Sequence, residues 1–291
     1  MAALALALCG RSEALTNVIF KDVPAIAPRV LEYRPRLQVR LYTPPGVRAG
    51  EQRPAILFVH GGGWSSGKPE LYESHCRYYA SKGFVAAAVQ YRLATTTTVF
   101  DCIADVKSAV RWLRTQAADI NVDPGRIAAF GDSAGGHLAA CAGLLPGLEA
   151  EGEDLAVSSR PDALILFYPI TDTTPPDGWD VVRFGGRAGA AVAGRLAEFS
   201  PLDHVSTGAP PILVAHGTAD TVVPFAMSER FAAALRARGN PLELVPFEGQ
   251  NHAFITPGYG DDAAIGKALA VADAFLKEKG FVPPPPPKGT P

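Results

Sequence analysis

Cysteine is scarce, with only Cys9, Cys76, Cys102 and Cys141 in 291 residues. No two form a C-x-x-C pair and none has metal-site spacing, which argues against a zinc knuckle or a dithiol redox motif. The spacing leaves a Cys76–Cys102 disulfide open, and Cys141, inside an Ala/Leu-rich run, reads as a small packing residue. Charge of one sign is also lacking: 27 Lys and Arg face 29 Asp and Glu, for a net charge of −2. Without a basic stripe, nucleic acid is not an expected partner. No apolar run approaches the roughly 20 residues that span a bilayer. No internal repeat is visible, and no Gly-Lys-Ser/Thr follows the glycine-rich turn at 61–63, so a phosphate loop fits poorly.

What is present is a supply of apolar residues, 47% of the chain, enough for the core of one sizeable domain. Continuous apolar runs read as buried strands at 54–59, 84–89, 126–130, 162–168, 211–215 and 242–247. Helical spacing occupies 70–82, 101–119, 138–145, 225–238 and 262–278. Residues 36–42 alternate (Leu37, Val39, Leu41) and predict an outer strand. Strands alternating with helices imply an α/β fold with a mostly parallel sheet covered on both faces. Residues 15–282 form the expected single domain. An irregular insertion at 171–202, with a helical patch around 188–198, is expected to sit over the cleft as a small cap. Pro283 to Pro287 begin a polyproline tail over 283–291. At the other end, 1–14 reads as a leader: Ala2 to Leu8 is apolar and small residues follow at Ser12-Glu13-Ala14, but the basic start of a signal peptide is missing. Export to the periplasm or medium is the expectation, with a cytoplasmic location as the alternative.

Four segments carry chemistry, and each falls at the end of an apolar strand. Gly131-Asp132-Ser133-Ala134-Gly135 lies between a strand and a helix. Glycines two places on either side of a serine permit a sharp bend, which lifts the hydroxyl to a helix N-terminus. This is the pattern of a nucleophile elbow, although a plain glycine-rich turn would give the same five residues. His60-Gly61-Gly62-Gly63-Trp64 offers bare N–H groups of the kind a developing oxyanion needs. His216-Gly217-Thr218-Ala219-Asp220 places an aspartate in a strand-end turn, and Asn251-His252 places a histidine in a polar loop. Serine, aspartate and histidine in this chain order, at successive strand ends, match the α/β-hydrolase arrangement.

These segments, with Tyr91-Arg92-Leu93 and Gly136-His137, resemble the α/β-hydrolase esterases over roughly residues 36 to 278. The nearest branches are the hormone-sensitive-lipase-like carboxylesterases and the esterases related to acetylxylan and feruloyl esterases. The stretch ahead of Arg36 is shorter than the N-terminal cap of the lipase-like branch, which favours the carbohydrate-esterase-like one. Many relatives carry Asp-Tyr-Arg where this chain has Gln90-Tyr91-Arg92, a change that reads as structural.

The resemblance implies Ser133 as nucleophile, His252 as general base and then acid, and Asp220 as its orienting carboxylate. Gly62, Gly63 and Ala134 would supply the oxyanion N–H groups. Asp203 and Glu248 are rival acids with less well placed turns. His60 is expected to brace the glycine turn, His137 to pack inside its helix, and His216 to stand near the acid turn, whereas His75 and His204 carry no signal. No metal or cofactor is expected. The expected substrate is a short-chain, acetyl-like ester of a small molecule or carbohydrate. The alternatives are an amidase or exopeptidase, an arylformamidase, or a ligand-binding relative that has lost catalysis.

Overall fold

The computed structural model describes residues 18–184 and 190–284. The expected leader at 1–14, Cys9, most of the proline tail and the start of the helical patch at 188–198 lie outside the described residues. The framework is one eight-stranded sheet. Its strands are β1 (Arg29–Arg34), β2 (Leu37–Tyr42), β3 (Arg53–Val59), β4 (Val85–Val89), β5 (Val122–Asp132), β6 (Ala163–Phe167), β7 (Ile212–Gly217) and β8 (Leu242–Phe247), in the order β1-β2-β4-β3-β5-β6-β7-β8. β2 runs antiparallel to both neighbours, and from β4 to β8 every pairing is parallel.

Every residue of β3, β4, β6 and β7 is buried, which explains why these strands read as unbroken apolar runs. Side chains alternate between the two faces. Ile56 and Phe58 join Phe130, Phe167 and Ile165 on one face. The helices α1 (Glu73–Ser81) and α5 (Asp262–Glu278) cover that face through Cys76, Tyr79, Ala272 and Phe275. Leu57 and Val59 face the opposite layer, where α2 (Val99–Thr115) and α3 (Ser133–Leu144) contribute Ile103, Val106, Val110 and Leu138. The helix α4 (Phe225–Ala237) closes the β6–β7 end of that layer with Phe231 and Leu235. α2 starts on a capping box, in which the Thr98 hydroxyl accepts from the Asp101 amide and the Asp101 carboxylate accepts from the Thr98 amide. This satisfies two donors that a helix start leaves unpaired.

Three boundaries differ from the reading of the sequence. Residues 37–42 are not the outer strand, because β1 pairs outside them. The β1 sequence Arg-Val-Leu-Glu-Tyr-Arg buries only Tyr33 fully, so it carries little strand signal. β5 begins at Val122 rather than 126, because Arg53 pairs with Val122 and a register shift then absorbs Pro124-Gly125 before Ala55 meets Ile127. α3 begins at Ser133 itself, five residues ahead of the expected run. In the insertion, residues 190–192 and the 3-10 helix Ala193–Phe199 are helical where the patch was expected, and a further short helix, Val181–Phe184, precedes it. Cys76, Cys102 and Cys141 are buried free thiols, so the disulfide left open by the spacing does not form. Among the described residues no helix is long and apolar enough to cross a membrane.

Candidate active site

β5 ends at Asp132 and α3 starts at Ser133, so the chain turns at the serine, whose φ is 50°. A non-glycine residue in this region is uncommon and persists only where its surroundings hold it. Close packing does so here. A Cβ on Gly135 would lie 2.0 Å from the Val59 carbonyl oxygen, and one on Gly131 would lie 2.4 Å from that of Gly135. Only glycine lets the first turn of α3 press against the end of β3. Ser133 thus stands at the carboxyl end of the central strands, where parallel sheets bind ligands.

The loop after β8 brings His252 to it. His252 Nε2 is 3.0 Å from Ser133 Oγ, and Nδ1 is 2.7 Å from Asp220 Oδ2. The imidazole packs against the Tyr168 ring at 4.7 Å. Its loop is tied to the Asp220 loop, because Asn251 Oδ1 accepts from the Thr221 amide at 3.0 Å and from the His252 amide at 2.8 Å. The Asp220 side chain is enclosed, and its Oδ1 accepts from the amides of Val222 and Val223 at 2.8 and 2.9 Å. Burial alone would raise its carboxyl. The neighbouring imidazoles of His216 and His252 and the Val223 amide outweigh that effect and hold it well below the usual carboxylate range. Asp203 is exposed on the turn Pro201–His204, and Glu248 is exposed and accepts from the Thr218 hydroxyl. The carboxylate held by His252 is therefore that of Asp220.

The glycine turn after β3 forms the facing wall. His60 Nδ1 donates to the Gly61 carbonyl at 2.8 Å, and the Tyr91 ring stacks on the imidazole at 4.2 Å while its hydroxyl donates to the His60 carbonyl. Burial lowers the His60 pKa to about 4, so the ring braces the turn as a neutral group. Gly62, at φ 114°, has its carbonyl capped by the amides of Ser65 and Ser66, and a Cβ there would lie 2.3 Å from the Ser66 carbonyl oxygen. The Gly61 amide donates to Asp132 Oδ1 at 2.8 Å. That leaves Gly62 and Gly63 as the glycines of the turn that face the cavity without this tie. Ala134, next to Ser133, is buried in the first turn of α3, where amides have no intrahelical acceptor.

Several participants are absent from the expected set. Asp132, between the two elbow residues, is one. Its Oδ1 accepts from both the Gly61 amide and the Tyr72 hydroxyl, the latter at 2.6 Å. Burial pushes its carboxyl up, and these donors act in the opposite direction. Trp64 donates from Nε1 to His137 Nδ1 at 3.2 Å, and His137 Nε2 meets the Phe199 carbonyl at 2.8 Å. One buried imidazole thereby ties the glycine turn, α3 and the insertion together. Trp179, from the insertion, meets Trp64 edge-on at 5.5 Å and donates to the Val222 carbonyl. A cavity of about 190 Å³ lies between these parts, lined by Gly61, Gly62, Gly63, Ser133 and His252, with Tyr72, His75, Ile170, Trp179, Val222 and Pro257 as its further walls. In the sequence Asp132 was visible as an acid beside the serine. Tyr72, His75 and Trp179 carried no mark separating them from core aromatics.

Fold and site define an α/β-hydrolase. The model of the BD-FAE family matches residues 39–235, a span that contains Ser133 and Asp220 and stops short of His252. The chain belongs to that family. Mycobacterium tuberculosis esterase LipQ is 31% identical over 253 residues, covering 82% of this chain and 58% of its own length. The chain spans little more than half the length of the first curated relatives it matches. Among solved structures, Thermogutta terrifontis esterase 2 phosphonylated by sarin is 40% identical with a TM-score of 0.84, covering 91% of this chain and all of that one. The butyrate-bound form of the same esterase is 41% identical with a TM-score of 0.82, covering 91% and 98%.

Proposed function

We propose that the chain is a serine carboxylesterase of short-chain, acetyl-like esters, with Ser133 as nucleophile, His252 as base and acid, and Asp220 as the carboxylate that fixes the imidazole. The observation that carries this reading is the unbroken chain Ser133 Oγ–His252 Nε2, His252 Nδ1–Asp220 Oδ2, at 3.0 and 2.7 Å. Both distances are within reach for proton transfer. As Ser133 Oγ attacks the ester carbonyl, its proton passes to His252 Nε2 and the carbonyl electrons move onto oxygen. Gly62, Gly63 and Ala134 are the amides for that oxyanion. Collapse expels the alcohol, which takes the proton from Nε2. Water then repeats the sequence on the acyl-enzyme and releases the acid.

Two findings support the substrate range. The cavity is smaller than the ~300–1,000 Å³ typical of pockets for drug-sized ligands, and the Trp179 indole stands across it. The Thermogutta esterase, similar along its whole length, is described in a butyrate-bound form. Its phosphonylation by sarin supports a nucleophile open to acyl-like electrophiles. Esters of carbohydrate alcohols belong to the same proposal.

The test is a series of p-nitrophenyl esters from acetate to octanoate, with acetylated xylan and an aryl amide alongside. A burst of nitrophenol, fastest for acetate to butyrate, and no turnover of the amide are expected. In Ser133→Ala, turnover falls at least ~10⁴-fold. Wild-type rates in that variant would remove the reading.

A further inference from the structure

Asp220 has a second imidazole behind it. His216, the penultimate residue of β7, is fully buried, with Nε2 at 3.2 Å from Asp220 Oδ2 and 2.9 Å from the Val223 carbonyl. Its Nδ1 is 2.7 Å from the hydroxyl of Ser228, buried on α4. Two acceptors at Nε2 require the proton there. Nδ1 is then a lone pair, and the Ser228 hydroxyl donates to it. The same carboxylate oxygen meets His252 on its other side. The order Ser228–His216–Asp220–His252–Ser133 is thus nearly symmetric about the acid, with one serine–histidine pair facing the cavity and the other sealed in the core.

We propose that the Ser228–His216 pair is a positioning device for Asp220. The serine fixes the His216 tautomer, and the Nε2–H so fixed stabilises the carboxylate and sets how strongly it holds a proton on His252. The inference rests on the reading of Asp220 and His252 given above. The geometry argues against simple packing. A core imidazole needs two partners, whereas this one meets three polar atoms from the acid loop and α4. One of the three is the oxygen that orients the base. Electrostatics agree, because His216 is among the neighbours that lower the Asp220 carboxyl.

If the Nε2–H is lost, Asp220 becomes a less stabilised anion and a stronger partner for the imidazolium. Protonated His252 then persists to higher pH, and the acid limb of kcat/KM moves up. Ser228→Ala acts the same way, since His216 without its donor is free to place its proton on Nδ1 and turn a lone pair toward Asp220. The other titratable or polar groups facing His252 are Ser133 and Tyr168, with Asp132 acting on it electrostatically. None of them is altered in these variants.

The experiment compares wild type, Ser228→Ala, Ser228→Thr and His216→Gln on p-nitrophenyl acetate from pH 5 to 9. Imidazole ¹⁵N shifts of the wild type and Ser228→Ala are recorded in parallel. Ser228→Ala removes one oxygen and keeps the packing of α4, so it tests the idea even if His216→Gln folds poorly. The expected results for Ser228→Ala are a kcat loss on the order of tenfold, a KM within about twofold of wild type, and an acid limb raised by ~0.5 pH unit. Ser228→Thr restores both. The ¹⁵N shifts place the wild-type His216 proton on Nε2. A folded Ser228→Ala enzyme with unchanged kcat and acid limb overturns the proposal, as does a wild-type His216 protonated on Nδ1. Failure of the underlying esterase reading looks different, because Ser133→Ala would then retain turnover.

Discussion

At the scale of single residues, Asp132 is the side chain whose role a motif conceals. In the pattern Gly-x-Ser-x-Gly it occupies a free position, yet its Oδ1 holds both the Gly61 amide and the Tyr72 hydroxyl. It therefore locks the glycine turn to the elbow, so that nucleophile and oxyanion amides are fixed relative to each other before substrate arrives. Preorganised donors gain their catalytic value from such fixing. Asp132→Ala leaves the Gly61 amide and the Tyr72 hydroxyl without their acceptor. The variant is expected to lose roughly 10- to 100-fold in kcat with little change in KM. Tyr72→Phe, which leaves the Gly61 contact in place, is expected to lose less. Steady-state kinetics on p-nitrophenyl butyrate checks both, and an Asp132→Ala enzyme with undiminished kcat would show that the latch does not matter. Residues of this kind were only partly legible. Ser133, Asp220 and His252 were each ordinary loop residues alone, and announced themselves because serine, aspartate and histidine stand in that chain order at successive strand ends beside a glycine-rich turn. Tyr72, His75 and Trp179 did not, because an aromatic residue facing a cleft has the same sequence context as one facing the core.

At the scale of elements, the insertion between β6 and β7 supplies a wall of the cleft through Trp179. It is anchored at several points: the Leu202 amide donates to the Thr171 carbonyl, Arg230 pairs with Asp172, and His137 meets the Phe199 carbonyl. Trp179 is held across the cavity by its bond to Val222 and by its contact with Trp64. Trp179→Ala is expected to open that wall and move the preferred acyl chain from acetate–butyrate toward hexanoate–octanoate. A chain-length profile unchanged from wild type would place the limit elsewhere. The elements themselves were read with uneven success, for physical reasons. β8, α4 and α5 were found to within a residue because each is bounded by turn residues and carries its own period. β1 was missed because an edge strand satisfies only one row of backbone partners and half of its side chains face water, so Arg29, Glu32 and Arg34 dilute the apolar alternation. The start of α3 was missed because Gly135 and Gly136 are poor helix formers, while their lack of a Cβ is what lets the helix press against the end of β3.

At the scale of the whole molecule, strand order was not legible. Alternating apolar runs imply a parallel sheet, but nothing local to β2 says that it crosses β3 to pair with β4. That outcome follows from the right-handed crossovers that link parallel strands. Burial across the molecule also sets its response to acid. Burial lowers His60 and His137 to about 4 and His75 to about 3, whereas the unfolded chain protonates its histidines near ~6.5. Below that pH the unfolded state binds more protons, so stability falls as pH drops from ~6.5 toward 4. Three histidines set an upper bound of roughly 4 kcal/mol per pH unit. Asp220 adds a later stage. Its depressed value stabilises the fold above the unfolded carboxyl near ~3.9, and that contribution is lost as pH falls further. Urea midpoints measured from pH 7.5 to 4.5 should decline steeply. His75→Phe, placed among Phe20, Phe58 and Phe130, should flatten the decline by about one proton. A midpoint independent of pH would contradict this assignment of buried neutral imidazoles.

The most direct measurement of the central claim is the site of covalent capture by an organophosphate. Treated with paraoxon and digested, the protein should yield one phosphorylated peptide, modified at Ser133, in step with loss of esterase activity. Labelling should slow sharply in His252→Ala. Modification at another residue that abolishes activity, or full esterase activity after stoichiometric capture of Ser133, would contradict the account.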